Sequence, residues 1–162
     1  MEQKILLLGN PALYQTASPI SEEDFKDLPQ IIRDLHDTLL AFRSKYGAGR
    51  AIAAPQIGVQ QRLLYMYIDH PVVMINPSLE FPDTEKMEVL DDCMSFPNLL
   101  VKVMRYRRCI LHYTDFEKNS CKLELEGDLA ELIQHEYDHL DGILAVMRSI
   151  DEKSFFWRET PQ

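Results

Sequence analysis

His135 and His139 flank Glu136 in the run His135-Glu136-Tyr137-Asp138-His139, the part of the chain best suited to do chemistry. On a helix of about 3.6 residues per turn the two imidazoles share one face, where both can bind one divalent cation. Glu136 then reaches a water on that cation, so the chemistry is hydrolysis with a carboxylate to carry the proton. The competing reading is a helix with two surface histidines, which a chain with five histidines allows. That reading gives Glu136 no reason to stand between them.

A helix must hold the trio. Asp128 to Leu140 contains neither Gly nor Pro and sets Leu129, Leu132, Ile133 and Leu140 at helical spacing, with Gly142 placed to end it. The enzyme class turns on a third ligand. A metzincin-type protease carries a histidine three residues after Gly142, where Ala145 stands; a thermolysin-like protease takes a downstream carboxylate, and only a short tail with Asp151, Glu152 and Glu159 remains. The ligand is therefore expected upstream. Cys121 alternates with Leu123 and Leu125 and is expected in the core, and Cys109 follows a regular strand pattern with Arg107 and Leu111. Cys93 lies in Asp91-Asp92-Cys93-Met94-Ser95-Phe96-Pro97, where polar residues and a proline interrupt strand patterning, and is the favoured ligand.

Other elements must frame these residues. Leu28, Ile31, Leu35, Leu39 and Phe42 recur three and four apart, predicting a packing helix from Asp24 that stops near Gly47, with His36 a surface or core histidine. Ile5 to Leu8 reads as a strand or extended arm running into the turn Gly9-Asn10-Pro11. Strands are expected at Arg62–Ile68, Val72–Ile75, Val101–Thr114 and Cys121–Glu126, and the aromatic cluster Phe155-Phe156-Trp157 is expected to pack on the body. Strands lying between two helices predict an α+β domain with mostly antiparallel pairing.

At 162 residues and 46% hydrophobic, the chain supports one domain over residues 1–162. A net charge of −9 argues against DNA or another nucleic-acid backbone as main partner, and Arg105, Arg107 and Arg108 are expected to be solvated strand charges. The absence of a membrane-length apolar run or a signal-like start, together with three cysteines lacking framework spacing, predicts a cytoplasmic protein without membrane attachment.

Three pieces together resemble the motifs of peptide deformylases, in that family's order and with similar spacing: Gly49-Arg50-Ala51-Ile52-Ala53-Ala54-Pro55-Gln56, Asp91-Asp92-Cys93-Met94-Ser95 and Gln134-His135-Glu136-Tyr137-Asp138-His139. The opening Ile5 to Leu13 and Ile75-Asn76-Pro77 are similar as well, so the likeness covers almost the whole chain. It implies an α+β fold with antiparallel sheets around a central metal-binding helix, and a metal held by Cys93, His135 and His139. It implies removal of the formyl group from the N-terminal methionine of nascent chains, releasing formate. Glu136 would be the proton carrier, and the Gln56 amide and Met94 backbone N–H the oxyanion donors. The family commonly uses iron(II), which zinc, nickel or cobalt can replace, and its substrate backbone pairs in β fashion with positions that are here Arg50, Ala51 and Asp92. A transient ribosome contact is the further partner the likeness leaves open.

The chain departs from the family at four places. Ala51 stands where a second glycine is usual, Asp91-Asp92 where Glu-Gly is usual, and Leu100 where an arginine often follows the metal cysteine by seven residues. Were either glycine position at positive φ, Ala51 or Asp92 would strain the backbone. Leu132, Glu131 and Asp128 precede His135 by three, four and seven residues and so share its face beside the substrate pocket. Two readings follow: Asp128 and Glu131 form a helix-capping pair, or they join Arg50, Asp91 and Asp92 in rimming a polar pocket. The second reading favours an N-formyl substrate with a polar or charged side chain. A catalytically idle metal-binding paralogue is a further alternative, against which Glu136 and Gln56 both speak.

Overall fold

The segment Leu63-Leu64-Tyr65-Met66-Tyr67 is apolar on both faces, which suits a strand covered on both sides. In the computed structural model, which describes residues 1–159, it does lie between two helices. It is strand β2 (Leu63–Tyr67), following β1 (Ala51–Ala53) and preceding β3 (Pro71–Glu80), β4 (Lys86–Asp91), β5 (Leu99–Tyr106), β6 (Arg108–Thr114), β7 (Ser120–Glu126) and β8 (Phe155–Trp157). Helix α1 (Leu28–Tyr46) precedes the strands, and α2 (Asp128–Leu140) separates β7 from β8. One antiparallel sheet has the order β1-β2-β3-β6-β7 and a second has β4-β5-β8.

Side chains alternate across β2 and divide the core. Leu63 and Tyr65 join Ile52 and Ile75 against Leu28, Leu35, Leu39 and Phe42 of α1. On the other face Leu64 joins Ala53, Met74 and Leu111 against Ile133 and Leu140 of α2. His36 of α1 meets the Tyr65 hydroxyl at 2.6 Å, the polar contact of an otherwise apolar layer. A third cluster, with Phe96, Val101, Val103 and Ala145, packs around Cys93.

Several expectations change in the folded chain. The arm at Ile5–Leu8 is extended but joins neither sheet; Leu6 N–H donates to the Gln56 carbonyl at 2.8 Å and Leu8 N–H to that of Ser95 at 2.9 Å. The run Val101–Thr114 is two strands, because the chain passes from one sheet to the other at Arg107. Asn76-Pro77, a pair that by type suits a turn between strands, is a bulge inside β3, with Asn76 at φ 49° and its side-chain amide bonded both ways to the Ile20 backbone. The Phe155-Phe156-Trp157 cluster is the exposed edge strand β8, not a packed tail. Leu129 is exposed, and Cys121 sits at the sheet margin beside Asp115, whereas Cys109, like Cys93, is buried.

Helix α2 ends as the sequence predicts. Gly142 takes φ 71°, and a Cβ there would stand 2.5 Å from the Tyr14 carbonyl oxygen. Left-handed backbone and close approach both exclude a side chain. Gly142→Ala should destabilise the protein by about 2–4 kcal/mol, read as a lowered urea midpoint at unchanged slope; an unaltered midpoint would show that the Tyr14 loop yields freely.

Candidate active site

Gly127, at φ 67°, turns the chain from β7 into α2, and its N–H donates to the Arg107 carbonyl at 2.8 Å. Gln134 then fixes the rotation of the helix. Its amide receives the Tyr106 N–H at 2.9 Å and donates to the Tyr106 carbonyl at 2.8 Å, as a neighbouring strand would. So held, α2 presents His135, Glu136 and His139, all buried, to the segment after β4 that carries Cys93.

The Cys93, His135 and His139 donor atoms all lie within 4.8 Å of one another. His135 Nδ1 is engaged by Asp91 Oδ2 at 3.0 Å, leaving Nε2 for the cluster, while His139 Nε2 lies 3.4 Å from Cys93 Sγ. One sulfur and two imidazole nitrogens are a donor set for a borderline divalent ion, and a carboxylate behind a ligand histidine is its usual support. Glu136 Oε2, buried beside the cluster, lacks a partner among the described residues. These residues fit a divalent cation with a water next to it.

Charge favours the same reading. Burial alone would raise the Asp91 carboxyl, but His135 and Arg105 overcome it and hold the group at about 2. Burial likewise opposes protonation of His135, yet Asp91 and Cys93 raise its affinity for a proton well above the ordinary value. A proton thus collects where a cation would otherwise supply positive charge. His139 is kept neutral, as a ligand must be, by burial and by the His135 charge. The Glu136 carboxyl is pushed up to about 7 by burial, against the pull of His135, which suits a group that takes and returns protons near neutrality.

Arg105 overturns one expectation. It is 3% exposed, not a solvated strand charge, and bridges Asp91 at 2.9 Å and Asp138 at 2.6 Å. Arg148 closes the far side of Asp138 through Nε at 2.6 Å and Nη2 at 2.9 Å. Arg107 and Arg108 do stay at the surface, paired with Asp83, Glu85 and Glu126.

Gln56 follows β1 on a single turn of 3-10 helix. Its Oε1 accepts the Ala53 N–H at 2.9 Å, which aims Nε2 at Ser95 Oγ, 3.1 Å away, and Cys93 Sγ, 3.6 Å away. The sulfur also receives the Ser95 N–H at 3.4 Å. Met94 packs its side chain with the α1 core.

A cavity of about 430 Å³ opens beside the cluster, bounded by Arg50 and Ala51 on one side, Asp91, Asp92 and Met94 on another, and Glu131 and Leu132 along α2. Strands β1 and β4 are both edge strands, so unpaired backbone faces the cavity from two sides. Neither Ala51 nor Asp92 has positive φ, so both are accommodated without strain. The capping reading of Asp128 and Glu131 fails: Gly127 is the N-cap and no side chain caps α2. Both carboxylates instead bond Arg50 at the cavity rim. No cation stands at Leu100, but Arg158, which sequence reading missed, follows β8, lines the cavity and reaches Asp92 at 3.2 Å and the Pro97 carbonyl at 2.9 Å.

Comparison with known proteins identifies relatives of almost the whole chain. Residues 2–155 match the family model described as polypeptide deformylase. A peptide deformylase of Treponema pallidum is 38% identical over 152 residues, covering 93% of this chain and 89% of the relative. One from Thermotoga maritima is 32% identical over 157 residues, covering 96% and 92%. The crystal structure of the Thermotoga maritima peptide deformylase superposes with a TM-score of 0.80 at 32% identity over 93% of this chain and 99% of that one. That of the Synechococcus elongatus peptide deformylase in complex with actinonin gives 0.84 at 31% identity over 93% and 80%.

Three outcomes are expected. Asp91→Asn, which takes a full charge from behind His135, should weaken metal binding about 10–100-fold in a chelator competition; unchanged affinity would mean that Asp91 merely fills space. The Cys109 thiol, pushed up to about 11 by burial, should stay inert to iodoacetamide while Cys121 reacts. Cys93 should be alkylated only after the metal is stripped, and labelling indifferent to metal would remove it from the ligand set.

Proposed function

We propose, from the premise that this chain belongs to the polypeptide deformylase family, that Cys93, His135 and His139 hold its metal and that Glu136 is its proton carrier. The protein is a metal-dependent hydrolase that removes the N-formyl group from the N-terminal methionine of nascent peptides and releases formate. The observation that carries the residue assignment is the convergence of one sulfur and two imidazole nitrogens within 4.8 Å beside a buried glutamate.

A bound cation supplies Lewis acidity, lowering the pKa of a water and polarising the formyl oxygen. Glu136 takes a proton from the attacking water as the new C–O bond forms, then delivers it to the amine nitrogen as the C–N bond breaks. Gln56 Nε2 and the Met94 backbone N–H donate to the oxygen on which negative charge develops. Asp91 is a positioning residue that orients His135 as well as lining the cavity. The substrate backbone pairs with Arg50 and Ala51 on the edge of β1 and with Asp92 after β4, and the first side chain runs along Glu131 and Leu132. A purely structural metal site would need neither Glu136 nor the Gln56 donor, which weighs against an idle paralogue.

Iron(II) is the resident ion in this reading, following the family's habit, and the same donors accept zinc, nickel or cobalt. The described residues form one domain, which in this reading works in the cytoplasm, where formylated chains emerge. No helix among the described residues is long and apolar enough to cross a membrane. With a net charge of −9, DNA binding is disfavoured and any ribosome contact is weak and confined to a small patch.

Protein purified without oxygen and loaded with iron(II) or nickel(II) should release formate from formyl-Met-Ala-Ser. Glu136→Ala should lower kcat/KM about 10²–10⁴-fold while binding metal normally. No release at full metal occupancy would overturn the proposed substrate; equal release by Glu136→Ala would overturn the role of Glu136.

A further inference from the structure

We infer that the Arg50–Glu131 pair lets this enzyme take N-formyl peptides whose first side chain ends in a neutral hydrogen-bond acceptor, such as methionine sulfoxide, alongside methionine; the inference rests on the deformylase reading.

The pair stands where the tip of that side chain must arrive. The first side chain leaves a Cα two bonds from the formyl carbon, close to Glu136 and the metal ligands. Glu131 and Leu132 lie about one helical turn before His135, a spacing of about 5–6 Å between Cβ atoms, which an unbranched four-atom side chain spans. Both residues line the cavity, and Arg50 faces them from the end of β1. The side chain of Glu131 is only 14% exposed, so its bond to Arg50 belongs to the pocket wall and not to the open surface.

Arg50 retains donors for a ligand. A guanidinium has five N–H groups, and its bonds are one from Nη1 to Asp128 and one from Nη2 to Glu131. Nε–H and one N–H on each Nη remain without a protein acceptor among the described residues. An apolar pocket would strip water from a sulfoxide or carboxamide oxygen and return nothing, which is how such pockets reject polar tips. Here the oxygen meets an Arg50 N–H. An anionic tip would face Asp128 and Glu131 as well as Arg50, and a cationic tip would have to displace Arg50 from its two carboxylates. A neutral dipole needs neither rearrangement. Methionine still fits, because a thioether packs on the Leu132 side chain and the guanidinium face without breaking the pair. The reaction is unchanged: water adds to the formyl carbon, the C–N bond breaks, formate leaves, and the amine takes the proton, with the sulfoxide carried through intact.

The test compares kcat/KM for formyl-Met-Ala-Ser, formyl-Met(O)-Ala-Ser and formyl-norleucyl-Ala-Ser with the metal-loaded protein and with the Arg50→Leu/Glu131→Leu variant. The native protein should cleave the sulfoxide peptide within about tenfold of the methionine peptide. The double variant should widen that gap to about 100-fold or more, with the norleucine-to-methionine ratio unmoved. Calorimetry with Glu136→Ala, which turns the peptides over at least about 10²-fold more slowly, should give Kd values for the methionine and sulfoxide peptides within about tenfold of each other. A native-protein gap above 100-fold overturns the inference whatever the stability of the double variant, and so does a gap that the double variant leaves unchanged. Cleavage of the methionine peptide alone would spare the deformylase reading and sink this one; cleavage of none of the three would sink both.

Discussion

Arg105 is buried between Asp91 and Asp138, and through them it ties the end of β4 to the middle of α2. A guanidinium withdrawn from water is tolerable only when its charge and its planar donors are met together. The charge is met here by two carboxylates, one on each Nη, while Nε is buried without a partner among the described residues, and Arg148 supplies a second cation to Asp138. Because Asp91 also holds His135, the network has little freedom: moving β4 relative to α2 would leave a buried charge unpaired, at a cost on the order of 3–5 kcal/mol. The relative position of the two metal-binding segments, one carrying Cys93 and the other His135 and His139, is therefore set electrostatically before any ion arrives.

The same principle extends inwards. Gln56 could in isolation turn either end of its amide toward the sulfur, but the Ala53 N–H claims Oε1 and leaves Nε2 facing Cys93 and Ser95. The two donors that meet Cys93 Sγ, the Gln56 amide and the Ser95 N–H, come from segments that the N-terminal arm in turn pins through Leu6 and Leu8. An arm that looks peripheral in the chain thus bridges the first two motifs. Fixed donors are worth most where water is excluded, since they need no reorganisation as charge develops.

How much of this could be read from the chain depended on the distance over which each residue acts. The trio at His135 to His139 is legible because the helix itself provides the geometry, and the end of α2 follows from Gly142. Cys93 is legible because the irregular Asp91 to Pro97 run sets it apart from Cys109 and Cys121. Arg105 is not, because its partners stand 14 and 33 residues away and nothing local separates it from Arg107 and Arg108, which are surface charges. The break at Arg107 is hidden for the same reason: neither Gly nor Pro marks it, and strand-forming residues stand on both sides while the chain changes sheets. Strands β4 and β8 carry exposed faces and weak patterning, and Arg158 owes its place in the cavity wall to the pairing of Leu99 with Trp157 and Leu100 with Phe156.

Position on the α2 face was readable for Asp128 and Glu131, but their role was not, since a capping pair and a pocket rim ask for the same residues at the same spacing. The deciding fact is long-range. Gly127, with no side chain to cap the helix, occupies the N-cap, and Arg50 arrives from β1 to engage both carboxylates. Burial pushes the Glu131 carboxyl up to about 7 even with Arg50 lowering it, so Glu131 without Arg50 would tend toward the neutral acid. Arg50 without Glu131 would still have Asp128, whose side chain is 76% exposed and so holds it only weakly. Arg50 thus favours the ionised form of Glu131, Glu131 in turn holds the guanidinium against the pocket wall, and the two residues must be considered as one element of the site.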